Sequence, residues 1–306
     1  KDFSLSASFN IGFNKNRVEK FKNGESNYKT YSSKWNGNSA APFDDYIIRE
    51  GEAVGQMYGY ITGGMYTFDD FDYIGTGTYP YRLKGDTDGS KTEAAASLIG
   101  AKYFGPGSLK LVDKDGNIAT STDAKTVIGN ANPDLIGGFN LTARYKGFDL
   151  SAFFNFSIGN DVYNANKIDN SCYSGSRKYN NLVEEMKNRF TYIDPATGYL
   201  AYNDPVRLAE INKNATIWSP YMTTAVLHSW AVEDGSFLRF NNLTLGYTFP
   251  KRWVKKLGLT NLRIYGTVYN VCVITGYSGF DPEVSTRNST AMTPGVDYSA
   301  YPKSRS

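Results

Sequence analysis

Residues Ile136 to Gly159 read IGGFNLTARYKGFDLSAFFNFSIG. Two alternating runs flank a tight turn at Tyr145-Lys146-Gly147-Phe148. The first puts Phe139, Leu141, Ala143 and Tyr145 on one face, with Asn140, Thr142 and Arg144 opposite. The second puts Phe148, Leu150, Ala152, Phe154, Phe156 and Ile158 on one face, with Asp149, Ser151, Asn155 and Ser157 opposite. Strand side chains alternate sides, so each run is a strand with one apolar and one polar face. The second run has the length of about 9–11 residues that a tilted strand needs to cross a bilayer. A soluble sandwich gives the same alternation, usually in shorter strands.

The rest of the chain must be weighed against that hairpin. It has 306 residues and a net charge of +3, too near neutral to argue for nucleic acid. The basic residues are scattered, and the pairs Lys251-Arg252 and Lys255-Lys256 read as a solvated turn. Mean hydropathy is −0.44, a value a membrane barrel shares because half of each strand faces its lumen. No apolar run is long enough for a membrane-spanning helix. The 24 Tyr and 30 Gly fit interfacial aromatics and turns, and also fit an exported carbohydrate binder. A single histidine, His228, argues against His-rich metal sites and a His-based triad. Cys172 and Cys272 have no spacing that places them within bonding reach.

Taken in order, strands are expected near 2–14, 136–145, 148–158, 236–249 and 262–274. Phe3, Leu5, Ala7, Phe9 and Ile11 line one face of the first. Asn241-Asn242 break the phase of the fourth, which predicts a bulge. Between them lie long stretches, 15–135, 159–235 and 276–306, rich in Gly, Asn, Asp, Ser and Tyr. These carry short strands at Val54–Thr62 and Ser108–Val112, and helices near 92–98 and Asn181–Phe190. Long and short connections alternate strictly. Outer-membrane barrels sort their loops this way, with short turns toward the periplasm and long loops outside. A sandwich has no reason to do so. Five strands cannot close a barrel, since bacterial single-chain barrels begin at about 8 strands and open edges in lipid leave backbone groups unpaired. The fold expected is therefore all-β: a segment of a larger antiparallel transmembrane barrel, one partial barrel domain over 1–306.

Several stretches then resemble one family, the SusC/RagA-type TonB-dependent outer-membrane transporters. They are Val54-Gly55-Gln56-Met57-Tyr58-Gly59-Tyr60 with Gly64-Met65-Tyr66, and Thr126-Val127-Ile128-Gly129-Asn130-Ala131-Asn132-Pro133-Asp134. Val232-Glu233-Asp234-Gly235-Ser236-Phe237-Leu238-Arg239 and Asn242-Leu243-Thr244-Leu245-Gly246-Tyr247 follow. Leu262-Arg263-Ile264-Tyr265 and Gly279-Phe280-Asp281-Pro282-Glu283-Val284 complete the series. The resemblance implies the C-terminal part of a roughly 22-stranded barrel, with the plug domain and final strand outside this sequence. It further implies no enzymatic activity, but TonB-driven import of glycans, oligosaccharides or peptides across the bacterial outer membrane. A SusD-like lipoprotein would be the partner over the extracellular loops, and TonB would be contacted by the absent N-terminal part. Cys272 departs from the apolar residue usual in that strand and reads as a small apolar substitute. The competing reading is an exported all-β carbohydrate-binding or glycoside-processing protein.

Two sets of side chains stand out as candidate sites. Trp35, Tyr58, Tyr60, Tyr66 and Trp218 lie in the expected outer loops and offer ring faces to a sugar; packing of loop on loop is the alternative. Asp113, Asp115 and Asn117, with Asp123 further on, offer oxygens at alternate positions as a Ca2+ loop does. Ile118 stands where that loop needs Gly, and Ala124 where it needs a bidentate Glu. A polar Asp-Gly hairpin explains the same residues without a cofactor. The adjacent carboxylates Asp44-Asp45, Asp69-Asp70 and Glu184-Glu185 point apart and make poor acid–base pairs.

Overall fold

The computed structural model describes residues 3–22, 24–35, 44–173, 181–286, 291–301 and 303–304. Asp2, at the start of the first expected strand, and parts of the three long connections lie outside the described residues. The wall is a five-stranded antiparallel sheet in chain order: β1 (Phe3–Gly12), β2 (Leu135–Tyr145), β3 (Phe148–Ile158), β4 (Phe237–Thr248) and β5 (Arg263–Thr275). Each strand falls within two residues of its expected bounds. Among the described residues the sheet is open and forms no closed barrel.

Register decides what each face carries. One row across the sheet is Phe3, Tyr145, Phe148, Tyr247 and Ile264. Two residues further along are Leu5, Ala143, Leu150, Leu245 and Gly266, then Ala7, Leu141, Ala152, Leu243 and Val268. The next row is Phe9, Phe139, Phe154, Phe240 and Cys272, and the last is Ile11, Gly137, Phe156, Leu238 and Ile274. No row holds a charge. At roughly 3.3 Å per residue the rows cover about 26 Å along the strands, close to the ~25 Å apolar band of outer-membrane barrels. The opposite face carries Ser6, Thr142, Ser151, Thr244 and Thr267 in one row and Arg144 paired with Asp149 in another. Phe139, Phe154 and Phe240 stack face to face at 4.5 and 4.3 Å between centroids, so the apolar face is held by ring contacts as well as by the ladder. The apolar residues are largely uncovered, with Phe9 64% and Leu245 53% exposed.

Two local features set the register. The β2–β3 turn has positive φ at both central residues, Lys146 (+45°) and Gly147 (+91°), the type I′ geometry whose twist matches a hairpin. A Cβ at Gly147 would meet the Thr248 carbonyl oxygen at 2.7 Å. Gly147→Ala is therefore expected to cost about 1–2 kcal/mol, read as a lower denaturant midpoint of the full-length protein. Gly266→Ala, which meets open space on the same sheet, serves as the control. The second feature is the expected bulge: pairing of β4 with both neighbours slips at Asn241. The extra residue keeps Phe240 and Leu238 on the apolar face.

The long connections are not irregular, as the sequence suggested. They build an ordered layer at the β1 C-terminal end of the wall, with two cores of their own. The larger packs Tyr66, Phe71, Tyr81, Phe104, Tyr192 and Tyr202 ring against ring. The smaller gathers Trp35, Tyr46, Met57 and Tyr163, with Trp35 Nε1 donating to the Tyr163 hydroxyl at 2.6 Å. Short strands close the connections on themselves and to each other: Gln56–Gly59 pairs with Thr126–Asn130 within the first, and Asp161–Asn164 pairs with Val232–Asp234 within the second and with Val296–Asp297 of the last. The helix expected near 92–98 spans Ser90–Ile99. The one expected at Asn181–Phe190 is only a 3-10 turn, Glu184–Asn188, placed by Met186 in the larger core. An unforeseen helix, Pro205–Ile211, starts at Asp204, whose side chain accepts from the Arg207 amide. Among the described residues no helix is long and apolar enough to cross a membrane.

Candidate functional site

Several of the residues that carry the family resemblance, in 54–55, 130–134, 233–239 and 279–283, meet where the wall joins the loop layer. Asn132 Nδ2 donates to the Val54 carbonyl, and the Ala131 amide donates to the Gly55 carbonyl at 3.1 Å. The Asn130 amide donates to Asp161 Oδ2 at 2.7 Å, and the Asp134 amide to the Ile158 carbonyl at 2.9 Å. Glu233 accepts from the Ser278 amide at 2.9 Å and hydroxyl at 2.8 Å, and from Asn164 at 3.0 Å. The Asn130–Asp161 and Ser278–Glu233 bonds tie one connection to another, the Asp134–Ile158 bond ties the first connection to the wall, and the rest close single connections on themselves, so these polar residues act as joints between segments distant in sequence.

The strongest joint rises from the wall. Arg239, on the polar face of β4, is 3% exposed. Its Nη2 donates to Asp281 at 2.6 Å and its Nη1 to Asn270 at 2.9 Å. Its Nε lies 2.7 Å from Glu283, near enough for charge attraction though not aligned as a hydrogen bond. Lys303 adds a 2.7 Å contact to Glu283. The last connection is thereby pinned to the wall. Beside this pin a groove of about 850 Å3 is lined by Asn10, Phe153 and Asn155 of the wall and by Pro282, Glu283 and Gly295. At the opposite end of the wall, Arg263 grips Asp149 with two bonds of 3.1 and 2.5 Å.

The candidate sugar-stacking residues are placed as follows. Trp35, Tyr60, Tyr66 and Trp218 are at most 4% exposed. Tyr66 and Trp218 stand in the larger core with Tyr60, and Trp35 in the smaller. Their ring faces are spent on protein neighbours. Tyr58 is half-buried, with Lys125 and Arg49 over its ring at 5.3 and 5.9 Å. The candidate metal residues form the Asp-Gly turn: Asp113 Oδ1 accepts from the amides of Asp115 at 2.9 Å and Asn117 at 2.8 Å, and Gly116 takes φ +84°. Asp123 sits in a separate 3-10 turn. Asp113, Asp115 and Asp123 do not cluster, and among the described residues no group of three His, Cys, Asp or Glu side chains converges. The two cysteines are unpaired.

Near Tyr58 is a buried carboxyl absent from the expectations, with the half-buried Lys125 ammonium bonded to the neighbouring Asp44 carbonyl. Asp45, 4% exposed, accepts from the Ser33 amide at 2.7 Å and hydroxyl at 2.5 Å. Burial pushes its carboxyl up to about 6, against the pull of those bonds and of Lys125. Burial also lowers the Lys125 ammonium to about 8. A raised carboxyl stabilises the fold fully below its unfolded value near 3.8 and loses that contribution as pH rises through about 6. Relative to Asp45→Asn, the wild type is expected to lose about 2–3 kcal/mol between pH 4 and pH 7. The check is the denaturant midpoint of both proteins across that range, taking their difference so that other carboxylates cancel. Adjacent Asp44 and Asp45 face different partners, Thr30 and Ser33, as expected of neighbouring residues in extended chain.

Comparison with known proteins follows the same outline. No family model matches the chain. A TonB-dependent receptor P3 of Formosa agariphila is 31% identical over 314 residues, covering all of this chain and 26% of that protein. The TonB-dependent receptor SusC of Bacteroides thetaiotaomicron is 24% identical over 99% of this chain and 24% of its own. Among solved structures, the RagAB peptide transporter superposes with a TM-score of 0.66 at 19% identity, over 99% of this chain and 26% of that one. The chain thus spans about a quarter of the length of the relatives it matches. Its fold is that of a TonB-dependent-receptor barrel. Within that class, the sequence is similar along its whole length to receptors of the SusC/RagA type.

Proposed function

We propose that this chain is the C-terminal part of the wall and outer loops of a TonB-dependent importer in the bacterial outer membrane. The observation that carries the reading is the two-faced sheet: five uncharged rows on one side, Ser, Thr and Asn with Arg144, Asp149, Arg239 and a few aromatics on the other, and every long connection at one end. In the membrane the apolar rows meet lipid, and further strands of the same barrel pair with the free edges of β1 and β5. The loop layer then faces outward and receives substrate together with a SusD-like lipoprotein. The cargo is an oligomeric nutrient, a glycan or a peptide. The named relatives include SusC and a peptide importer, which supports import and leaves the two cargo classes to experiment. The wall frames the plug; its own residues move nothing chemically.

The test is uptake in cells lacking the full-length protein. Energy-dependent accumulation of either labelled oligosaccharides or labelled oligopeptides is expected to fall to background and to return with the intact gene. Unchanged uptake of both, with the protein recovered from the soluble fraction, would contradict the proposal.

A further inference from the structure

We propose that the short turn between β4 and β5 docks anionic phospholipid headgroups at the periplasmic membrane surface; this rests on the wall reading above. After Pro250 the chain makes one helical turn, Lys251–Val254, and a 3-10 turn, Lys255–Leu257. Val254, 1% exposed, anchors it. The rest points outward. Lys251, Arg252, Lys255 and Lys256 are all exposed, and among the described residues none of the four has an ion-pair partner. The sequence from 235 to 280 contains no acidic residue at all, and Asp149, the carboxylate of the neighbouring strand at this end of the wall, is held by Arg263.

A merely solvated turn would leave its apolar groups covered. Here Trp253 is 49% and Leu257 69% exposed, one helical turn apart. They stand at the end of the apolar face, beyond Tyr247 and Ile264, where the Phe249 amide bonds the Leu262 carbonyl and closes the ladder. Exposed Trp and Leu beside a cluster of Lys and Arg is the composition of a segment lying in a membrane interface, rings in the acyl boundary and ammonium groups among phosphates. Continuity with the lipid-facing rows and the unbalanced positive charge together select an anionic lipid.

The test uses the full-length protein purified in detergent and titrated with phosphatidylglycerol or phosphatidylcholine, read by native mass spectrometry. Each cation at such a surface is worth about fivefold in binding. The combined Lys251→Gln, Arg252→Gln, Lys255→Gln and Lys256→Gln variant is expected to lose phosphatidylglycerol at least about tenfold, with phosphatidylcholine unchanged. Brominated phosphatidylglycerol should quench fluorescence in the wild type, and Trp253→Phe should remove that quenching. Equal phosphatidylglycerol retention by the fourfold variant, still assembled as a heat-modifiable barrel, would overturn the lipid site and leave the wall intact. Displacement of the lipid by millimolar inorganic phosphate would overturn it in favour of a free-anion site. A wild-type protein showing no heat-modifiable barrel would defeat the wall reading and this one with it.

Discussion

Phe154→Arg is expected to keep the full-length receptor out of the outer membrane. Phe154 stands in the fourth of five apolar rows, on the central strand of the sheet. An arginine on the lipid face of a barrel costs about 2–4 kcal/mol at the bilayer midplane and less toward the interfaces, so about 2 kcal/mol one row from the centre. The substitution also removes two stacked contacts, to Phe139 at 4.5 Å and Phe240 at 4.3 Å, worth together about 1–3 kcal/mol. Ser151→Arg places the same charge three residues away on the polar face, where water solvates it. The outer-membrane fraction, examined for the heat-modifiable band of a folded barrel, should show the Ser151 variant and lack the Phe154 variant. A Phe154→Arg protein that is folded and soluble would return the all-β exported protein to first place.

Breaking the Arg239 joint should have the next largest effect. Arg239→Ala leaves Asp281 buried, 3% exposed, without the guanidinium that balances it. Removing one partner of a buried pair costs about 3–5 kcal/mol. The loss should fall on the last connection, because Asp281, Glu283 and Lys303 are its link to the wall. Limited proteolysis of the assembled protein is expected to cut within 276–304 in the variant and spare the wild type. The paired replacement Arg239→Met with Asp281→Leu removes both charges, and its cost should be well below the sum of the single changes. Additive costs would show that the two residues act apart.

The wall was legible because a half-buried strand repeats every two residues, and each wall strand is ten or more residues long, in that phase throughout except at the β4 bulge. The phase break at Asn241 was legible for the same reason. The loop layer was not. Its strands are as short as Phe71–Tyr73 and Tyr81–Leu83, too brief for alternation to register, and its cores arise from tyrosines brought together over long sequence separations. Leu182, Val183 and Met186 carried helical spacing, yet the core claimed Met186 from a 3-10 turn. Asp204-Pro205 was a readable helix start, an N-cap followed by proline at the first position, hidden in a stretch already taken for loop.

The joints were half legible. Glu233, Arg239, Asp281 and Asn130 all fell inside the stretches that carried the resemblance, but pairing them requires the fold. Asp45 was read only as one of two adjacent carboxylates that point apart, and nothing in the sequence around it signals its burial or the nearness of Lys125. Aromatics were the opposite case. Tyr60, Tyr66 and Trp218 looked available for a ligand because they sat among Gly and Asn, whereas that company reflects tight turns around a buried ring.

Whether the uncharged rows face lipid can be measured residue by residue. Spin labels placed singly at positions 148 to 158 of the reconstituted full-length protein test it most directly. Collision with dissolved oxygen, concentrated in lipid, and with a water-soluble nickel complex are measured at each site. High oxygen and low nickel accessibility is expected at 148, 150, 152, 154 and 156, and the reverse at 149, 151, 153, 155 and 157. Accessibility to nickel at both sets alike would place both faces in water and contradict it.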